Sequence, residues 1–422
     1  MSKRIGFTFS AALALALTVG GFSAWPTRVR AQLPPFVGST RAPAIDIDRS
    51  DVLYLMMSVA TAPPSRQTPH SQIFFTSSRD GGLNWDNLPL TRNLTQTPGE
   101  AFGPSLAVTK SGTPRAYVTY HDNSSGTTLA YMIHSKKKAK FRGPQNITPA
   151  GRTAAFFPRV ALDSNEAVNV TWGDTTGGGR QVVFQRSTDQ GATFGPLLNL
   201  SNSAGFAFYP DIAVDPSDAL NVVWEDTGSG QSVIVFSRSV DGGQTFSTPT
   251  LVSTGADSAA GARVIADSQG RLSFAWVDTS PDGTAQAFYA RSTDHGQTFS
   301  TPINISNLKN GQILKPVLAS FGDTVYYAFQ DEADGDLQVY LAKSSDAGVS
   351  FSKPVRVSNA DNTRGRAHSA AMAVNSKGVL QIVWIDASII GHDEGLLFYS
   401  NTKDGRAFSP QFEILAGIET PM

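Results

Sequence analysis

"RSTDQGATF" (186–194) returns almost unchanged as "RSTDHGQTF" (291–299), and the fold follows from how often the chain repeats this phrase. The pattern Ser-x-Asp-x-Gly-x-(Thr/Ser/Asn)-aromatic has five good copies, with aspartates Asp80, Asp189, Asp241, Asp294 and Asp346 and aromatics Trp85, Phe194, Phe246, Phe299 and Phe351. Two eroded copies fall in register. Residues 134–141 keep only the aromatic, Phe141, and residues 401–408 read Lys403 where the aspartate is expected but keep Gly405. From Phe194 onward the aromatic recurs after 52, 53, 52 and 57 residues, a period that signals an array of supersecondary units.

The rest of each unit repeats too. A leading strand of the form Pro-x-(Ile/Val/Leu)-Ala-Val-Asp is read as "PAIDID" (43–48), "PSLAVT" (104–109), "PRVALD" (158–163), "PDIAVD" (210–215), "ARVIAD" (262–267), "PVLASF" (316–321) and "AAMAVN" (370–375). A second strand ends in aromatic-x-Asp, at Asp122, Asp174, Asp226, Asp278, Asp331 and Asp386. A third leads into the phrase and a fourth follows it. Seven four-stranded antiparallel units that cannot cover their own apolar faces close radially into a β-propeller, which leaves few exposed sheet edges. The expectation is an all-β chain, one seven-bladed propeller over 32–422, with a six-bladed ring as the alternative.

Composition narrows the class. The 422 residues carry 34 basic and 35 acidic side chains, so nucleic acid is not an expected partner. Lys3 and Arg4 precede an apolar run to about Val19, and Val29-Arg30-Ala31 stands before Gln32, the layout of a secretory signal peptide over 1–31, with cleavage after Ala24 as the alternative. The run is too short to span a bilayer comfortably, so no integral membrane span is expected after signal removal. The product is expected to be secreted or periplasmic. It has no cysteine, hence no disulfide, thiolate metal site or cysteine nucleophile.

The phrase resembles the Asp-box, or bacterial neuraminidase repeat, of propellers in the sialidase superfamily, and the resemblance spans essentially the whole mature chain. It implies that each box sits in the turn between third and fourth strands, with its Asp bonding turn amides and its aromatic packed between strands. It also implies a ligand site on the opposite rim. Asp80, Asp189, Asp241, Asp294 and Asp346 are therefore read as structural, as are the aspartates ending the second strands and Trp172, Trp224, Trp276 and Trp384.

In a repeat, residues that break the pattern on the binding rim have escaped the duty of holding the fold and become the candidates. The position after the leading proline reads Ala44, Ser105, Arg159, Asp211, Arg263, Val317, Ala371. Arg159, Asp211 and Arg263 thus fall on three successive blades near one mouth of the axial channel. Arg152, Arg180, Lys315, Arg364 and Arg366 lie in loops on the same rim. Clustered guanidiniums can grip a carboxylate bidentately, as an acidic sugar requires, and the competing reading is that Asp211 pairs with both neighbours and stitches blades together. Phe102, Phe156, Phe157, Phe208 and Tyr209 on the links between blades are either sugar platforms or plugs between units.

Sialidases of the superfamily use three arginines, a tyrosine nucleophile with a glutamate partner, an acid/base aspartate and an early Phe/Tyr-Arg-Ile-Pro signature. That signature is absent here, the nearest string being Phe157-Pro158-Arg159-Val160. Those enzymes are six-bladed, and only 61–72 and 387–395 are long enough here to be site-building loops. A carry-over would use Arg159, Arg263 and Arg366, with Tyr209 and Glu225. No cofactor and no metal site is expected, since the histidines lack ligand spacing and "DEADGD" (331–336) reads as a solvated turn. The sequons at Asn93, Asn146, Asn199 and Asn304 fall at fourth-strand ends, where the repeat accounts for them. The expected function is binding of a glycan or protein on the rim opposite the boxes, with a sialidase-type exo-glycosidase and an assembly subunit as alternatives.

Overall fold

The computed structural model describes residues 39–415, apart from 62–69, 87–91, 111, 136–139, 254–257, 280–282, 307–312, 333–335, 359–365 and 388–394. The segment 1–31 expected to be a signal peptide, most of both long loops, Arg364 and the middle of "DEADGD" lie outside the described residues. Seven antiparallel sheets follow one another along the chain, each of four strands in sequence order. The blades span 39–93, 101–146, 155–199, 207–251, 260–304, 314–356 and 367–415. Seven blades form, not the six of the alternative. Among the described residues no helix is long and apolar enough to cross a membrane.

Burial explains the sequence pattern of each strand. A second strand such as Val168–Asp174 is buried along its whole length, because neighbouring blades cover both faces of its sheet. The first strand, Ala155–Leu162, alternates buried and half-buried positions. Each first strand touches the next, and the last touches the first, so the half-buried positions line an axial channel. The apolar core is divided into seven clusters. Each draws on two adjacent blades, as where Val182 and Phe184 of blade 3 meet Ile212 and Trp224 of blade 4. The tryptophans 172, 224, 276 and 384 are at most 1% exposed within these clusters.

The boxes occupy the turns after the third strands. In blade 3, the Gly191 amide donates to Ser187 Oγ (2.8 Å), and the Ser187 hydroxyl donates to Asp189 (2.7 Å). Asp189 also accepts from the Thr193 amide (2.9 Å) and hydroxyl (2.6 Å). These Thr193 and Ser187 bonds pull the Asp189 pKa down to about 2. Asp80, Asp294 and Asp346 repeat the arrangement, and Asp241 does so with Thr245. One expectation needs correcting. In the last copy Asp404, not a residue at position 403, takes the role: it accepts from the Thr402 hydroxyl and from the amides of Arg406 and Ala407. The box has lost one residue but has kept its aspartate.

The box glycine has a second duty, to the preceding blade. A Cβ on Gly82, Gly191, Gly243, Gly296, Gly348 or Gly405 would fall 2.0–2.9 Å from Tyr399, Met132, Phe184, Phe236, Tyr289 or Lys343 respectively. All six belong to third strands of the blade before. The box aromatics follow the glycine onto the same surface, with Phe246 on Phe184 (5.1 Å), Phe351 on Tyr289 (4.7 Å) and Trp85 on Tyr399 (5.6 Å). Even the eroded second copy keeps this contact, since Phe141 meets Phe75 of blade 1 edge-on at 4.8 Å. Such ring pairs contribute roughly 0.5–1.5 kcal/mol beyond their buried area.

The sequon hydroxyls close the other end. Thr95, Thr148, Ser201 and Ser306 accept the amides of Ile73, Ala130, Val182 and Ala287 on the third strands, as Ser253 and Ser358 do where no sequon exists. Glutamines at the starts of third strands (Gln72, Gln181, Gln286, Gln338) receive those hydroxyls in turn. The sequence reading had not singled out these glutamines.

Gly296 has φ +84° and no room for a side chain, whereas Gly81 has φ +70° and nothing within 4 Å of a built Cβ. Gly296→Ala is expected to lower the unfolding free energy by roughly 2–4 kcal/mol through backbone strain and overpacking, and Gly81→Ala by about 1 kcal/mol through strain alone. Urea unfolding of both variants checks this, and equal losses would mean that the seat against Phe236 contributes nothing.

Candidate functional site

Strand register separates the two rims. In blade 3 the start of the second strand, Val168, pairs with Ser187 at the box, while its end, Gly173 and Asp174, pairs with Phe156 and Ala155. The boxes and the starts of the first strands therefore lie at opposite ends of the blade.

At that second mouth all seven first strands carry a bulge at the same place, marked by a register shift. The bulged residue preceding the proline position is Ala42, Gly103, Phe157, Tyr209, Gly261, Lys315 or Ser369, with φ between 43° and 69°. Left-handed backbone costs a non-glycine residue about 1–2 kcal/mol, and bulges re-aim side chains. The result is a ring of seven residues around the channel mouth. Two carry aromatic rings, one an ammonium and one a hydroxyl.

One layer further in stand Arg159, Asp211 and Arg263. Arg159 Nε lies 3.8 Å from Asp211, whose other oxygen accepts the Val264 amide at 3.1 Å. Asp211 therefore bridges blades 3 and 5, but it reaches blade 5 through the backbone and not through Arg263. Arg263 donates to its neighbour's carbonyl, Ala262 O (2.7 Å), and no carboxylate pairs with it among the described residues. Burial and the like charge of Arg263 lower the Arg159 pKa to about 10, against the pull of Asp211, so the Arg159 guanidinium stays charged at neutral pH.

Glu225 sits beside this cluster, 3% exposed, and accepts the Gly261 amide of the next blade at 2.5 Å. Burial raises its pKa to about 7, with the Gly261 amide and Arg263 pulling the other way. His121 occupies the equivalent second-strand position in blade 2. It is 1% exposed, and burial followed by the charge of Arg159 lowers its pKa to about 3, so the imidazole is neutral.

The link aromatics form a connected row. Phe102 meets His121 at 3.8 Å, His121 meets Phe157 at 5.4 Å, Phe157 meets Tyr209 at 4.6 Å, and Tyr209 meets Phe208 at 5.2 Å. Arg180 lies 5.8 Å from the Phe208 ring centre. Tyr209 is 39% exposed, which makes it more than a plug.

The other sequence candidates are placed apart. Arg366 pairs with Glu332 at 3.7 Å on an exposed part of the rim, Arg152 with Asp174 at 3.5 Å, and Lys315 donates to Ser369 at 3.1 Å. No hydrogen bond joins Tyr209 to Glu225 among the described residues, the Glu225 carboxyl accepting the Gly261 amide instead. The second-strand aspartates bond turn amides, as Asp174 does with Thr176 and Asp226 with Gly228. His121, Gly103 and Gly261 escaped the sequence reading. Aligning the repeat on the residue before the proline, and on the residue before the second-strand aspartate, would have exposed them.

No protein-family model and no curated protein matches the chain. Solved structures share the fold. An ulvan lyase of polysaccharide lyase family PL25, bound to -[GlcA(1-4)Rha3S]-, is 12% identical with TM-score 0.58 over 90% of this chain and 94% of that one. A protein of unknown function from Dyadobacter fermentans is 15% identical with TM-score 0.52 over 70% and 91%. A Hadza microbial sialidase is 14% identical with TM-score 0.49 over 80% and 76%. At these identities the likeness is one of fold.

The raised pKa of Glu225 ties stability to pH. The folded chain holds this proton up to about pH 7, whereas an unfolded glutamate releases it near 4.5, so the buried carboxyl costs stability as pH rises through that window. Glu225→Gln keeps an acceptor for Gly261 and is expected to match the wild type at pH 4 and exceed it by on the order of 1–3 kcal/mol at pH 8. Urea unfolding at both pH values checks this, and parallel pH profiles would contradict it.

Proposed function

We propose that this chain is an extracytoplasmic glycan-binding propeller, and that its ligand presents a carboxylate to Arg159 and Arg263 at the mouth opposite the boxes. The observation that carries this reading is the charge balance of that layer. Two guanidiniums on blades 3 and 5 stand beside the Asp211 carboxylate, which pairs with Arg159, and among the described residues no carboxylate forms a salt bridge with Arg263, on which Glu225 acts only through space. A ligand carboxylate would complete the set with charge-assisted bonds. The exposed Tyr209 and the neighbouring Phe157 supply a surface for the apolar face of a sugar ring. A saccharide bound to an ulvan lyase of the same fold supports the ligand class. The amino-terminal charge and hydropathy pattern supports export.

Binding is the reading favoured here, because among the described residues no hydrogen bond joins Tyr209 to a carboxylate. Glu225 instead accepts the Gly261 amide of the next blade.

Calorimetry of the mature chain tests the reading with glucuronate- and sialate-bearing oligosaccharides against their carboxyl-reduced counterparts. The acidic forms are expected to bind at least tenfold tighter, and Arg263→Ala to remove that preference, a loss of about 1.5–3 kcal/mol. Equal affinity for reduced and acidic forms would refute it, and release of a fluorogenic sialoside by the wild type but not by the variant would replace binding with catalysis.

A further inference from the structure

We propose that His121, with Gly103 and Phe157 between blades 2 and 3, forms a subsite for an uncharged sugar ring linked to the acidic sugar at the arginines. The inference rests on the reading that a glycan occupies this mouth, and it names the unit that lies beside the charged one.

His121 is the anomaly of the site. Its ring is 1% exposed, yet among the described residues neither Nδ1 nor Nε2 has a hydrogen-bond partner, a state shared at the equivalent position of blade 6 by the Gln330 amide. Buried polar groups of native chains are almost always paired, and an unpaired one is a standing cost of the free state. A Cβ at position 103 would lie 3.0 Å from the imidazole Cε1 and 3.3 Å from Nδ1, so only glycine leaves this space to the ring. Gly103 is the blade 2 member of the bulge ring. At the level where blades 3 and 4 present Phe157 and Tyr209, blade 2 therefore presents His121 in place of a side chain of its own bulge. Phe102 and Phe157 cover the imidazole at 3.8 and 5.4 Å, and Phe157, half-buried at the mouth, is the ring that must turn to uncover it.

The chemistry of the subsite selects its occupant. A neutral imidazole offers one donor and one acceptor, which neighbouring hydroxyls of a pyranose can satisfy together. An apolar ligand would leave the nitrogens unpaired, and a cation would meet Arg159, whose charge already acts on His121. The C–H face of the same sugar ring can lie on the exposed Tyr209. Hydrogen bonds absent in the free chain and made in the complex contribute in full to the difference between the two states, and that difference is what drives Phe157 aside.

Calorimetry compares glucuronate with a disaccharide of glucuronate and a neutral hexose, on the wild type and on His121→Leu, alongside thermal unfolding. The neutral unit is expected to tighten wild-type binding about tenfold, near 1.4 kcal/mol, and to add nothing in the variant. The variant should melt at the same temperature or higher, because it removes an unpaired buried polar group. A neutral unit that adds nothing to wild-type binding, or adds equally in both chains, overturns the subsite while leaving the acidic-glycan reading intact. A variant that melts several degrees lower with its affinity gain preserved makes His121 a core residue and also overturns it. Failure of glucuronate and the disaccharide alike to bind sinks the parent reading and the subsite together. Should the variant not fold, the His121 imidazole nitrogen signals of the wild type decide. They are expected to shift with the disaccharide and not with glucuronate, and no shift overturns the proposal.

Discussion

A box glycine with no room for a side chain, seated against a third-strand residue of the blade before it, is the contact on which this ring depends. The Cα hydrogen that stands where a Cβ would be faces a ring carbon of Phe184 or Phe236, or the Sδ–Cε end of Met132, so the turn and the inter-blade surface are specified by one residue. The Ser–Asp–Thr hydrogen bonds hold that turn in a shape that brings the glycine close. Seven apolar clusters then form between blades and none within one, which makes each blade's stability a property of its neighbours.

The two rims divide the labour. With the boxes holding the ring from one end, the opposite mouth can vary from blade to blade, and the common bulge determines where that variation points. The same left-handed position carries Phe157, Tyr209, Lys315 or Ser369, so chemically unlike side chains converge on one mouth from identical backbones. The second strands add a further set at equivalent positions, from the neutral imidazole of His121 to the protonatable carboxyl of Glu225.

Much of the fold was legible because the period of the boxes and the leading prolines are local signals that survive in one chain. The strand count and the ring count follow from them. Ring closure was not legible, since blades 1 and 7 each read as complete, and closure proves to be a matter of packing: Tyr399 donates to Gly81 O at 2.6 Å, and Ser376 donates to Asp51. The last box was misread because a one-residue deletion moved its aspartate to 404, and a fixed template cannot see that the turn tolerates the shift. The site was legible by half. Arg159, Asp211 and Arg263 break the repeat openly, whereas His121 is conspicuous only through bonds it does not make, and the seven bulges leave no residue type in common.

Every strand in a blade comes from one unbroken piece of chain, including those at the seam between the first and last blades. Among the described residues no strand of blade 1 joins the sheet of blade 7, so the seam is held by the same kind of surface as any other junction. The chain can thus lengthen or shorten by whole tandem copies without any strand changing its partner. Such a ring is modular in the way masonry is, and its wedge angle, not a latch, sets how many pieces complete the circle.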